Sequence, residues 1–194
     1  MRPALAVSAV TITVLLAGCS VRVGSVSAGV ACRNTARVDN SVLVLLAQSV
    51  PTAQLIPCIA SVPSGWRPAG LHVTNGRASF VVGSDRDGPK ALTVALTRTC
   101  RITGATAVPS DVAGARRYER PRQVGHGYAD DRYYVYTGGC TTYTFDLTGQ
   151  SRAVPVTEVA QAIRFVQRTE VADLVRRMND GRVVLDPTPE RSPT

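Results

Sequence analysis

The residues from Arg116 to Tyr136 hold most of the chemistry this chain offers. Arg116, Arg117, Tyr118, Arg120, Arg122, His126, Tyr128, Arg132, Tyr134 and Tyr136 interleave guanidinium forks, phenol rings and one imidazole. A guanidinium matches the paired oxygens of a phosphate or carboxylate, and a tyrosine face stacks on sugars or on arginine. The band therefore suits an anionic wall polymer or a lipid head group. Tyrosine is also a strand former, so the same pattern fits cross-strand packing.

Catalytic chemistry finds less support. The chain lacks G-x-S-x-G, H-E-x-x-H, S-x-x-K and a phosphate loop. Its two histidines are His72, on an expected exposed strand face, and His126, between two glycines. A hidden triad would need one of them beside a nucleophile and a carboxylate. Glu119, Asp130 and Asp131 are near His126 in the sequence, and such proximity is weak evidence of a shared site. The D-x-D-G stretch at Asp85–Gly88 lacks the later ligands of a calcium loop. We expect no catalytic residue, no metal site and no cofactor.

The first eighteen residues set the location. Met1-Arg2-Pro3 is a short basic start, and Ala4–Ala17 is nearly continuous apolar sequence. That run is shorter than the roughly 20 residues a helix needs to span a bilayer, as a secretory signal would be. Leu16-Ala17-Gly18-Cys19 resembles the lipobox of bacterial lipoproteins at all four positions. The resemblance implies a diacylglycerol on the Cys19 thiol, cleavage before it, and an anchor on the outer face of the cell membrane. Each buried methylene contributes about 0.8 kcal/mol, so two chains hold stably where one holds marginally. Ala47–Pro51, Arg116–Arg120 and Tyr134–Cys140 also resemble segments of secreted proteins of high-GC Gram-positive bacteria. That likeness carries no activity and no site residues.

Cys32, Cys58, Cys100 and Cys140 remain, an even number that in an exported chain reads as two disulfides. Three pairings are possible, and the sequence alone does not choose among them. We favour Cys32–Cys58 with Cys100–Cys140, which closes the shorter loops. There is no C-x-x-C and no His/Cys spacing for zinc.

The elements that must position these residues are partly legible. Residues 1–18 read as the signal, 19–31 as a flexible tether, 32–186 as a single α+β domain, and 187–194 as a disordered, proline-rich tail. Ser41 or Asn40 can cap a helix through Val42–Gln48, with Leu43, Leu46, Ala47 and Val50 on one face. Thr52 can cap a short turn through Leu55 and Ile56 that Pro57 ends. Asn75-Gly76 predicts a hairpin that pairs Val73 with Ala78 and Leu71 with Phe80. Leu92, Val94 and Leu96 alternate as a third strand that Cys100 and Ile102 could extend, and residues 104–114 read as loop. Tyr133–Tyr136 and Cys140–Leu147 read as strands around Gly138-Gly139. Cys140 is out of phase with Tyr143, Phe145 and Leu147, so either a bulge resets the count or its bridge lies on the other side. Thr157-Glu158-Val159-Ala160 recurs as Thr169-Glu170-Val171-Ala172, predicting two capped helices with stripes Val159, Ala162, Ile163, Val166 and Val171, Leu174, Val175, Met178. The expected fold is a mostly antiparallel sheet of about 5–6 strands with short terminal helices packed on it.

The net charge of +8 falls to +7 without Arg2, from 21 basic against 14 acidic residues, and Lys90 is the only lysine. Such a balance favours polyanions, while export argues against nucleic acid. Three functions follow, in order: a non-catalytic envelope lipoprotein acting as scaffold or accessory to another envelope protein; a binding module for an anionic wall polymer or lipid head group; and a hydrolase built around His126. A monomer is favoured.

Overall fold

A computed structural model of the chain describes residues 30–32, 41–125, 127–149 and 153–187. The expected signal, Cys19, the tether up to residue 29, His126 and residues 188–194 lie outside the described residues.

The fold is α+β. A seven-stranded antiparallel sheet has the order β2-β3-β4-β8-β7-β6-β5, built from β2 (Trp66–Thr74), β3 (Arg77–Ser84), β4 (Gly88–Thr97), β5 (Thr106–Val108), β6 (Arg116–Gly125), β7 (Gly127–Tyr136) and β8 (Gly139–Leu147). A two-stranded sheet pairs β1 (Leu55–Ile59) with β9 (Ile163–Gln167). The helices are α1 (Ser41–Ser49), α2 (Ala153–Ala162) and α3 (Arg168–Met178). Among the described residues there is no helix long and apolar enough to cross a membrane.

Among the described residues nine strands replace the expected five or six. The additions lie where side-chain patterning is weak. β1 occupies Leu55–Ile59, where a short helical turn was expected. Its Pro57 is tolerated because residues 54 and 60 hydrogen-bond across to β9, which turns residue 57 toward the open edge. β5 lies inside the expected 104–114 loop, and β6 carries charged residues on both faces. β4 ends at Thr97 and does not extend to Cys100. The first of the two expected C-terminal helices starts earlier, at Ala153, and stops at Ala162. Ile163-Arg164-Phe165-Val166-Gln167 is β-branched and aromatic enough to pair with β1 instead. Thr157 thus lies inside α2, and the cap of α3 is Gln167, in a reciprocal capping box with Glu170, rather than Thr169.

The hairpin register holds as expected: Val73 faces Ala78 and Leu71 faces Phe80. α1 buries Leu43, Leu46 and Ala47, with Val50 just beyond it. Both disulfides join the favoured pairs, with Cα separations of 4.9 Å for Cys32–Cys58 and 5.8 Å for Cys100–Cys140. On the chain-entropy account each stabilises by about 3.5–4 kcal/mol. The phase of Cys140 is resolved by its register. Cys140 faces Val135 with no bulge, so its bridge lies on the sheet face opposite Tyr143 and Phe145.

Paired residues share a face, so the registers lay out the sheet as rows. One inner row runs Phe80, Val94, Tyr143, Arg132, Glu119. The next runs Ala78, Leu96, Thr141, Tyr134, Arg117. The apolar half of this face is covered by α1 and by the β1–β9 pair, whose Phe165 ring packs within 5.4 Å of Tyr134 and lies stacked at 6.4 Å from Tyr143. The 52–54 segment is sewn to the β7–β8 turn: Thr52 Oγ1 donates to Gly138 O at 2.6 Å and Gln54 N to Thr137 O at 3.2 Å. Only glycine fits at 138, where φ is +72° and a Cβ would meet Thr52 O at 1.7 Å.

The N- and C-terminal parts of the described chain meet at Arg168. This first residue of α3 is buried, and its guanidinium donates to Ala47 O, to Gln48 Oε1 at 3.5 Å and to Asp186 O at 2.9 Å. A cation is disfavoured at the start of its own helix, but its head lies at the end of α1, where carbonyls accept it. Burial lowers its pKa, opposed by Asp186.

Candidate functional site

The arginine–tyrosine band does not form one surface. Register places Arg117, Tyr128, Arg132 and Tyr134 on the inner face, and Arg116, Tyr118 and Arg120 on the outer face. Arg122 sits in the irregularity between Pro121 and Gln123. Tyr136 is buried, its Oη 2.8 Å from Thr141 Oγ1. His126 lies outside the described residues.

On the inner face the charges neutralise one another. Arg117 pairs with Glu119 and, at 3.3 Å, with Asp111. Arg132 Nε lies 3.0 Å from Glu119 and 3.3 Å from Asp130, with its guanidinium 4.8 Å from the centre of the Phe145 ring. Tyr128 Oη donates to Asp130 at 2.9 Å, and Tyr134 Oη to Asp111 at 3.1 Å. Asp130 is 1% exposed, and its Oδ1 has no hydrogen-bond partner among the described residues. Burial opposes the charge of Arg117, yet its bond to Glu119 holds its pKa above the usual value. Burial raises the pKa of Tyr134, Tyr136 and Tyr143 far above that of free tyrosine, and raises that of Tyr128 as well. All four rings are packing elements, and the hydroxyls of Tyr128, Tyr134 and Tyr136 have partners.

On the outer face Asp131 takes a parallel role. Its Oδ2 accepts from Arg120 Nη2 at 2.9 Å, lies 3.3 Å from Arg122 Nε, and accepts from Tyr133 Oη at 3.4 Å. Arg120 also lies 5.5 Å above the Tyr133 ring and donates to Thr103 O at 3.3 Å. Its bond to Asp131 raises its pKa. Four of the band's arginines thus have carboxylate partners; Arg116 is exposed and has none among the described residues.

The outer face presents a different set of groups. Arg77, Thr97 and Cys140 share one row, Ala95 and Thr142 the next, and Thr93 and Thr144 the third. Residues 98–101 fold over this centre because Cys100 is bridged to Cys140, and Cys100 Sγ lies 3.1 Å from Thr142 Oγ1. Together they line a groove of about 290 Å³ walled by Arg77, Arg101, Thr93, Thr97, Thr99, Thr142 and Thr144. Arg77 and Arg101 are exposed and have no carboxylate partner among the described residues. Hydroxyls that donate and accept, flanked by two unneutralised guanidiniums, can hold a phosphate or carboxylate together with sugar or glycerol hydroxyls.

Arg77 and Arg101 were not among the candidates drawn from the sequence. A signal for them existed in the threonine alternation at 93 and 97 and at 142 and 144, and in the out-of-phase Cys140. His72 is exposed on β2, as expected. Among the described residues no group of three His, Cys, Asp or Glu side chains is placed to hold a metal ion. Comparison with known protein families, curated proteins and solved structures finds no match to this chain.

Proposed function

We propose that the chain is an exported lipoprotein, tethered to the outer face of the cell membrane through Cys19, which serves the envelope as a non-catalytic accessory protein holding an anionic polymer or lipid head group on its outer sheet face. The lipobox supports the anchor. Two disulfides at the expected pairs fit an oxidising compartment. The observation that carries the binding role is the threonine-lined groove with Arg77 and Arg101 free beside it. The four paired band arginines fit structural roles better, and Arg116 extends the cationic rim along the Arg77–Thr97–Cys140–Val135 row.

Two measurements test this. Labelled palmitate should enter the full chain and be lost in Cys19→Ala. Retention on poly(glycerol phosphate) and on phosphatidylglycerol vesicles should fall roughly tenfold in Arg77→Ala and again in Arg101→Ala, as the loss of a charge-assisted bond of about 1.5 kcal/mol implies. The salt dependence should become shallower as well. Equal retention by the variants removes the groove from the proposal, and unlabelled protein removes the anchor.

A further inference from the structure

We propose that the outer edge of β9 receives an extended polypeptide segment of another protein, added as a third strand beside the β1–β9 pair. The site is separate from the outer-face groove.

The ladder fixes which backbone groups are free. Ala60 N–H donates to Ala162 O and Arg168 N–H to Gln54 O, so the even-numbered residues of β9 bond to β1. The odd-numbered residues turn outward. Gln167 N–H is taken by Glu170 Oε1 at 3.4 Å, which leaves the N–H and C=O of Phe165 without partners among the described residues. Groups spaced in this way are matched by the backbone of another strand.

Exposed sheet edges are ordinarily blunted. β2 has Pro68 and an irregular register between Pro68 and Gly70. β5 is three residues long. β1 has Pro57, and its Ile59 is bonded to Val30 and Cys32, which the disulfide to Cys58 secures. β9 has no proline and no register irregularity, and Glu170 closes only its last N–H.

The edge also lies in a cleft. About 520 Å³ opens between Ile163, Phe165 and Gln167 on one side and Asp111, Val112 and Ala113 on the other. The expected sequence follows from alternation. Side chains level with Phe165 enter the cleft and should be apolar. Those level with Arg164, which is exposed and has no ion pair among the described residues, should be acidic.

The test uses hydrogen exchange and a phage-displayed library of random nine-residue peptides, panned on the disulfide-bonded mature chain. In the free protein the Phe165 amide should exchange rapidly. Enriched peptides should alternate apolar and acidic residues and slow that amide at least tenfold. Ala113→Trp, a surface change that fills the cleft, should abolish their binding, while Arg77→Ala leaves it unchanged. Arg164→Glu should weaken the acidic peptides at least tenfold, and lysine-substituted versions should recover it. A Phe165 amide already protected in the free chain overturns the proposal. So does a library with no enrichment over Ala113→Trp, or peptides that depend on Arg77.

Discussion

The two faces of the seven-stranded sheet are cut from the same strands, yet they solve different problems. Asp130 and Asp131 are neighbours on β7 and point to opposite sides. Asp130 is buried, held by Tyr128 and Arg132. Asp131 is held by Arg120 and Arg122, whose side chains are 38% and 41% exposed. Along β8 the contrast is between Tyr143 and Phe145, which are buried, and Thr142 and Thr144, which line the open groove. One face uses its aromatic area for cohesion, and its charges serve to cancel one another. The other keeps hydroxyls and two unneutralised arginines in reach of solvent.

The largest break should come from Tyr143→Ala. It removes a fully buried ring that touches Tyr134 and Phe165, and should cost about 3–5 kcal/mol in urea unfolding. Its outer-face neighbour Thr142→Ala should cost under about 1 kcal/mol. Equal losses would mean that the outer face is also a packed core. Next, Asp130→Ala should cost about 2–3 kcal/mol, because Arg132 keeps only Glu119. Asp131→Ala should cost about 1 kcal/mol, since its half-exposed arginines can rehydrate.

The contrast was half visible in the sequence. Val73, Ala78, Leu71 and Phe80 alternate around Asn75-Gly76, so both hairpin strands and their register could be read from period two and a turn. α1 has a clean stripe bounded by Pro51. β6 could not be found this way: Arg116-Arg117-Tyr118-Glu119-Arg120 has no apolar face, because its inner side meets charges on β7 and not the core. Ile163–Gln167 continued a helical stripe on paper, and only its distant partner β1 makes it a strand. The arginine–tyrosine band was conspicuous for its composition, but composition is blind to the alternation that splits it between faces.

A subtler test uses alkali. Tyr128, Tyr133, Tyr134, Tyr136 and Tyr143 all have folded-state pKa values raised by burial. A raised pKa gives stability that is complete below the unfolded value, about 10 for tyrosine, and is lost as pH climbs through the folded one. Ultraviolet titration should therefore show these phenols ionising above pH about 10, with Tyr143 appearing only as the protein unfolds. A Tyr143 that titrates reversibly in the folded chain would mean the covering layer is loose. The smallest expected effect is on the outer face, where Arg77→Ala or Arg101→Ala should shift unfolding by no more than about 0.5 kcal/mol. A larger shift would make those arginines structural and weaken their claim on a ligand.

Arg168 has one more consequence. Its guanidinium reaches Ala47 across 121 positions of chain, so α1 lacks its final clasp until most of the polypeptide has been made. Contacts of that span slow folding, since a long loop must close before they form. A ribosome-bound chain truncated before residue 168 should therefore leave its first helix waiting, exposed to whatever chaperone meets it.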